Sequence, residues 1–250
     1  MKINVIIPTY KPDEKFERNL RMLRRQTLQP DRILIINTEE SLFHSKEFGK
    51  LPQGEIIHIK KSEFDHGGTR NRAAAMCDGD IIVLLTQDAI PADEYLLENL
   101  TKPFEDPEVC AAYGRQMADW KDNPVEAYTR TFNYPKESRI KSKEDLPVLG
   151  IKTFFCSNVC AAYRKSVYDA MGGFPLHTIF NEDMIFASRL IEAGKKIAYT
   201  ADAKVWHWHN YGAVEQCKRN FDLAVSQVDY GGLFAAVKSE SEGIRLVKTT

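Results

Sequence analysis

The feature that most constrains this chain is a series of short, continuously apolar runs set between helical patterns in its first hundred residues. Residues 3–7 (INVII) form a β-rich run that is stopped by Pro8 and followed by a polar loop. Over residues 13–26, Phe16, Leu20 and Leu23 recur at helical spacing with charge on the other face, which predicts an amphipathic helix. Residues 32–37 (RILIIN), 55–59 (EIIHI) and 80–85 (DIIVLL) repeat the strand pattern, and a Gly-Gly turn leads into an alanine-rich helix over 67–76. Strands that are apolar throughout need cover on both faces. Their alternation with helices therefore predicts an α/β fold around a mostly parallel sheet.

Beyond residue 100 the pattern loosens. Strand-like runs occupy 109–113 and 154–163, residues 119–147 read as loop-rich with a solvated charged run at 136–145, and a helix is expected over 181–193, closed by Gly194. No linker divides the chain, so one domain is expected over 1–250, with halves at 1–100 and 101–225. In the last segment, 226–250, Tyr230, Leu233, Phe234 and Val237 offer an apolar face for ordinary packing or for a membrane, partner or dimer contact. That segment has no recognisable closing element, and the chain reads as stopping short of a natural C-terminus.

Lys and Arg number 34 against 35 Asp and Glu, and this net charge of -1 argues against broad electrostatic binding to nucleic acid or anionic membrane. The opening MKINVIIPTYKPDEKF, broken by two prolines, fits neither a signal peptide nor a membrane span. Five cysteines (Cys77, Cys110, Cys156, Cys160, Cys217) are an odd set without CxxC spacing. They read as reduced thiols of a cytoplasmic protein.

Several polar residues stand where chemistry is done. Asp88 follows the fourth run directly and should emerge at the carboxyl end of the sheet, where open α/β folds bind ligands. There it serves either as a turn residue or, with phosphate oxygens, as a ligand to Mg²⁺ or Mn²⁺. In VWHWHNY, strand alternation would put His207 and His209 on one face and Trp206 and Trp208 on the other, as metal ligands or as an interior hydrogen-bonded pair. The run Asp65-His66-Gly67-Gly68-Thr69-Arg70-Asn71 opens a helix. Its glycines permit close backbone approach, its amides suit an anion, and Arg70 adds a cation. Asn181-Glu182-Asp183 opens a later helix, either as ordinary N-terminal punctuation or as the source of a general base.

Four segments in order, VIIPTYKP, HGGTRNRAAAMCDGDIIVLLTQDA, NEDMIFASRL and VWHWHNY, resemble family 2 of the glycosyltransferases, and together they span residues 3–211. FDHGGTRN with TQDA is similar to the bacterial rhamnosyltransferases of that family. The resemblance implies a GT-A fold, a single α/β/α sandwich, and inverting transfer from a nucleotide-diphosphate sugar, dTDP-L-rhamnose by closest likeness. It makes residues 1–100 the nucleotide-binding half and 101–225 the acceptor side.

It further implies that Pro8, Thr9 and Tyr10 line the base, with Glu39 in place of the family's usual acid after the second strand. Asp65, His66, Gly68, Arg70 and Gln87 join the nucleotide-sugar site. Most of the family has Asp-x-Asp where this chain has Thr86-Gln87-Asp88-Ala89, which leaves one carboxylate for the ion. A C-terminal histidine, His207 or His209, would make up for the missing acid. The base maps to Asp183, with Glu182 as fallback, and the helix N-terminus is expected to keep it ionised. Gly172-Gly173-Phe174-Pro175 maps near the acceptor. Trp120, Phe132 and Tyr134 read, from the residues themselves, either as core aromatics or as sugar-stacking faces. The implied acceptor is a saccharide or lipid-linked saccharide at the inner face of the plasma membrane, met by an enzyme that is cytoplasmic or peripheral at that face. The rivals are a silent nucleotide-sugar binding module, a metallohydrolase built on His207 and His209, and a nucleotidyltransferase, whose glycine-rich first loop IPTYKPDEKF lacks.

Overall fold

The computed structural model describes residues 1–121, 124–209 and 211–234. The first half follows the apolar pattern closely: β1 (Ile3–Tyr10), α1 (Glu14–Leu23), β2 (Arg32–Thr38), β3 (Gly54–Ile59), α2 (His66–Ala75) and β4 (Ile81–Leu85). Asp13 caps α1 by accepting from the Lys15 and Phe16 amides, and the helix buries Phe16, Leu20 and Leu23. The chain continues through β5 (Ile90–Pro91), α3 (Leu96–Thr101), β6 (Val109–Met117), α4 (Pro124–Asn133), β7 (Arg139–Lys141) and α5 (Leu146–Leu149). It then forms β8 (Cys160–Arg164), α6 (Lys165–Ala170), α7 (Glu182–Glu192), β9 (Lys196–Trp206), α8 (Ala213–Asp229) and α9 (Gly231–Phe234).

The strands make one sheet in the order β3-β2-β1-β4-β8-β6-β9-β5, with β7 added beside β9. Pairing is parallel from β3 to β4 and between β6 and β9; β8 runs against both its neighbours, and β5 and β7 run against β9. Six strands (β1, β2, β3, β4, β6, β9) thus point one way, and their carboxyl ends share an edge. Alternate residues feed two cores. Ile3, Val5 and Ile7 pack with Phe16 and Leu20 on one face, while Ile6 and Leu34 pack with Ala73, Phe186 and Leu190 on the other. The sheet is covered on both faces, giving an α/β/α sandwich. Truncating a fully buried side chain such as Phe186 to alanine costs about 3–5 kcal/mol by lost contacts and the cavity left behind.

Three expectations from sequence are corrected. Residues 119–147 are not mainly loop: α4, β7 and α5 form there, and α4 escapes notice because Ala127 is its one buried residue. The run at 154–163 pairs only from Cys160 onward, because a 3₁₀ turn (Gly150–Phe154) and an irregular stretch at 155–159 precede β8. Finally, β9 stops at Trp206, so His207 and His209 lie beyond the strand and not on one of its faces. In the C-terminal segment Tyr230 packs against the small cluster of Ile151 and Ile185. Leu233 and Phe234 close α9, while Val237 and the rest of 235–250 fall outside the described residues. Among the described residues no helix is long and apolar enough to cross a membrane.

Candidate active site

The carboxyl ends of β1, β2 and β4 surround a cavity of about 340 Å³, and Pro8, Thr9 and Tyr10 form one wall. Thr38 stands opposite, with Lys61 and Phe64 from the turn before α2, and His66, Arg70, Thr86 and Gln87 complete the lining. Gln87 clamps the end of β1 through both amide atoms, accepting from the Tyr10 N–H at 2.9 Å and donating to its carbonyl at 3.2 Å. Thr9 is buried and donates to Asn37 at 3.2 Å. Burial holds the His66 imidazole below its ordinary pKa, and Phe64 meets its ring edge-on at 5.1 Å.

Glu39, Asp65 and Gly68 lie outside this lining. Glu39 spends a carboxylate oxygen on the Lys61 amide at 2.6 Å. Asp65 caps α2 by accepting from the Gly68 N–H at 2.5 Å and ties down the His177 amide at 3.1 Å. One of the amides that helix end could offer an anion is therefore already engaged. Gly67 also serves packing, since a Cβ there would sit 1.9 Å from the Pro175 carbonyl oxygen. The Gly172-Gly173-Phe174-Pro175 segment is likewise structural: Gly173 turns at φ +68°, and Asn71 brackets Phe174 by accepting from its N–H and donating to its carbonyl, each at 2.9 Å. Phe174 itself packs against Tyr163, Tyr168 and Phe186.

A second cavity of about 440 Å³ adjoins the first through His66, Arg70 and Thr86, which line both. Asp88, in the turn that follows β4, meets both histidines there: His207 Nε2 lies 3.5 Å and His209 Nδ1 3.6 Å from Asp88 Oδ2. All three candidate donor atoms lie within 4.8 Å of one another. Burial alone would raise the Asp88 carboxyl, but the His207 hydrogen bond and the two imidazoles bring it well below the usual carboxylate range. Burial also lowers His207, and with help from His207 lowers His209 to about 4. The set therefore rests as one carboxylate and two neutral imidazoles, the protonation state a divalent cation requires. His207 Nδ1 lies 3.0 Å from Gln116 Oε1 and 3.2 Å from Arg130 Nη2, so these two side chains fix the ring while its Nε2 faces Asp88. Arg130 fixes the Gln116 oxygen by donating to it at 2.5 Å, and Gln116 Nε2 donates to Tyr134 and Ser157. The His209 N–H donates to Glu126 at 2.9 Å.

The same cavity holds Glu182 and Asp183 at the start of α7. Asn181 does not cap this helix: it is left-handed at φ 67°, and its side chain makes no cap hydrogen bond. The Asn158 side chain donates to Glu182 Oε1 at 3.1 Å, and its N–H donates to Asp183 Oδ2 at 2.8 Å. Arg70 Nη1 stands 3.4 Å from Glu182, both groups being almost wholly buried. The two acids diverge. Burial opposes ionisation of Glu182, yet Arg70 and Asn158 outweigh it and hold its pKa down. Asp183 is pushed up to about 7, first by desolvation and then by the Glu182 charge. The expectation that the helix N-terminus would keep Asp183 low is overturned, because burial beside an anion exceeds the effect of a helix end, typically worth under about 1 kcal/mol.

Asn158, Gln116 and Arg130 were not singled out from the sequence, and Asn181 was read there as helix punctuation. One signal was available for Gln116, a polar residue near the end of an apolar strand, and one for Arg130, an i,i+4 partner of Glu126 at 2.9 Å. Of the proposed stacking residues, Tyr134 is buried in the cavity wall, Phe132 is partly exposed, and Trp120 stands in solvent away from both cavities.

The family profile described as Glycosyl transferase family 2 matches residues 4–172. The O-antigen chain rhamnosyltransferase RfbN of Salmonella typhimurium is 42% identical over 257 residues, an alignment covering 100% of this chain and 80% of that protein. The O-antigen chain rhamnosyltransferase WbaN of Salmonella anatum is 42% identical over 254 residues, covering 98% and 78%. Among solved structures, the mannosyltransferase PcManGT from Pyrobaculum calidifontis, in complex with GDP-Man and Mn²⁺, superposes with a TM-score of 0.61 at 18% identity. TarS of S. aureus in complex with UDP-GlcNAc superposes with a TM-score of 0.63 at 15% identity. These superpositions cover 82% and 85% of this chain but only 56% and 60% of the two neighbours. The fold is thus the GT-A type of sandwich. With the family profile and two such relatives along nearly its whole length, the protein is a glycosyltransferase and belongs to glycosyltransferase family 2.

Proposed function

We propose that this glycosyltransferase moves L-rhamnose from dTDP-L-rhamnose, with inversion, to a saccharide or lipid-linked saccharide acceptor in O-antigen-type polysaccharide synthesis. The rhamnosyl donor and the acceptor class rest on the two relatives named O-antigen chain rhamnosyltransferases. The observation that carries the chemistry is the split between Glu182 and Asp183, adjacent acids whose surroundings drive their pKa values apart. Asp183, with a pKa near the working pH, is the base, and Glu182, paired with Arg70, holds the positive groups of the site in place.

In this reading Asp183 takes the proton of the acceptor hydroxyl while its oxygen attacks the anomeric carbon, and the bond from that carbon to the diphosphate oxygen breaks on the opposite face. Asp88, His207 and His209 would hold the divalent ion, which neutralises charge gathering on the departing diphosphate. A site with two imidazoles favours Mn²⁺ over Mg²⁺. Tyr10 and Phe64 frame the base, and Arg70, lying between the cavities, faces the diphosphate. Binding at the inner face of the plasma membrane is part of this proposal.

Calorimetric titration with dTDP-L-rhamnose and UDP-glucose, in Mn²⁺ and again in EDTA, tests it. Metal-dependent binding of the thymidine donor alone is expected. Preference for the uridine donor would discard rhamnose, and binding of neither with metal present would discard the nucleotide-sugar reading.

A further inference from the structure

Building on that reading, we propose that a third cavity beside the transfer cavity is a subsite for the part of the acceptor that carries an oxyanion. The oxyanion is either the diphosphate of a carrier lipid or the carboxylate of an acidic sugar. The cavity has a volume of about 600 Å³, within the range of about 300–1,000 Å³ usual for ligand sites. It shares Asn133 and Phe155 with the transfer cavity, so an acceptor whose end reaches Asp183 extends past the Phe155 ring into it.

The lining joins two kinds of surface. Tyr113, Phe132, Phe155 and Tyr199 supply aromatic rings. Tyr113 stands 5.6 Å from Phe155 and 5.1 Å from Tyr199, and buried Tyr134 backs Phe155 at 5.6 Å. Such rings offer flat apolar faces to the C–H side of a pyranose. Arg139, Lys141 and Lys152 supply three cations against one acid, Glu137. Arg139 pairs with Asp145 at 2.5 Å, and the Lys152 ammonium lies 4.2 Å over the Phe132 ring.

Lys141 is the residue that ordinary packing accounts for least. It is 3% exposed and donates to the Lys152 carbonyl at 3.0 Å and the Phe155 carbonyl at 2.5 Å. Its ammonium lies 4.8 Å over the Tyr113 ring. Carbonyls and a ring face offset only part of the cost of burying a charge, and among the described residues no carboxylate is hydrogen-bonded to it. An oxyanion in the cavity supplies the missing countercharge to its third N–H. Burial accordingly pulls this lysine down to about 7 without one.

The test is a backbone-amide NMR titration of the full chain, first saturated with dTDP and Mg²⁺ so that the donor site is filled. Farnesyl diphosphate, methyl glucuronide and neutral methyl galactoside are then added in separate arms. Shifts at the Phe132, Lys141 and Phe155 amides are expected from one anionic probe and not from the neutral one; which probe acts identifies the carrier diphosphate or the acidic sugar. Arg139→Gln, at an exposed position, and Lys141→Met should each weaken that probe about tenfold while leaving the dTDP-induced shifts at Thr9 and Thr38 intact. No shift around these residues from either anion, or equal binding of the neutral sugar, overturns the subsite while leaving the donor reading standing. Loss of the dTDP response in the wild type would mean that the donor reading itself had failed.

Discussion

The nucleotide-side cavity and the transfer cavity meet at His66, Arg70 and Thr86 but are built differently. The first is made of strand ends and aromatic faces, and the nearby carboxylates, Glu39 and Asp65, are engaged by backbone amides. The second is made of residues just past regular elements, Asp88 after β4, His207 after β9 and Asp183 at the head of α7. A side-chain network from Glu126 through Arg130 and Gln116 supports His207, and the Asn158 and Met184 amides hold Asp183. Strand ends supply a shaped pocket, which is what the proposed donor binding needs. The proposed proton transfer and ion binding instead need charges held at unfavourable burial, which a polar network supplies.

Several substitutions would break or sharpen this contrast. Asp183→Asn should lower transfer by about 10²–10⁴-fold while calorimetric affinity for the donor stays at the wild-type value. A large loss of donor affinity would erase the division between the cavities. Arg70→Met strands the Glu182 charge in the interior and should cost about 3–5 kcal/mol in urea unfolding. Tyr10→Ala, at an exposed strand end, should stay within about 0.5 kcal/mol. Gln116→Ala removes one of the two side chains that orient His207, and Mn²⁺ affinity should fall about 10–100-fold. Phe64→Ala should raise the donor KM by about 2–10-fold at unchanged kcat, by losing one aromatic face.

The pH dependence follows from Asp183. Its folded-state pKa, about 7, lies above the ordinary 3.8, so the rate should fall as pH drops through about 7. The folded state holds this proton more tightly than the unfolded chain, so its stabilising contribution is lost as pH rises through about 7. The stability gained by Asp183→Asn over wild type should therefore be larger at pH 8 than at pH 5. Glu182→Gln removes the neighbouring anion and should move the acid limb of the rate profile to lower pH.

The same contrast governs what the sequence revealed. Strands β1, β2 and β4 were legible because burial on both faces forces unbroken apolar runs, and Asp88 was legible because it follows one of them. Helix α4 was not, since it covers the site with a single buried alanine. Residues 155–159 misled because an apolar run there serves a loop whose Asn158 amide holds Asp183. Asn181 read as a cap from its type and place, yet its left-handed backbone turns the side chain away from that role. The raised Asp183 depends on burial beside Glu182, and spacing along a helix carries no information about depth.

The central claim is that Asp183, which shares a cavity with Asp88, His207 and His209, is a base and not a fold element. The most direct test is rhamnose transfer from dTDP-L-rhamnose to a panel of octyl glycosides, read by mass spectrometry for wild type and Asp183→Asn, with donor affinity measured on both. The expected result is at least a hundredfold loss of transfer with equal donor binding. Transfer by Asp183→Asn at the wild-type rate, with a normal melting temperature, would contradict it.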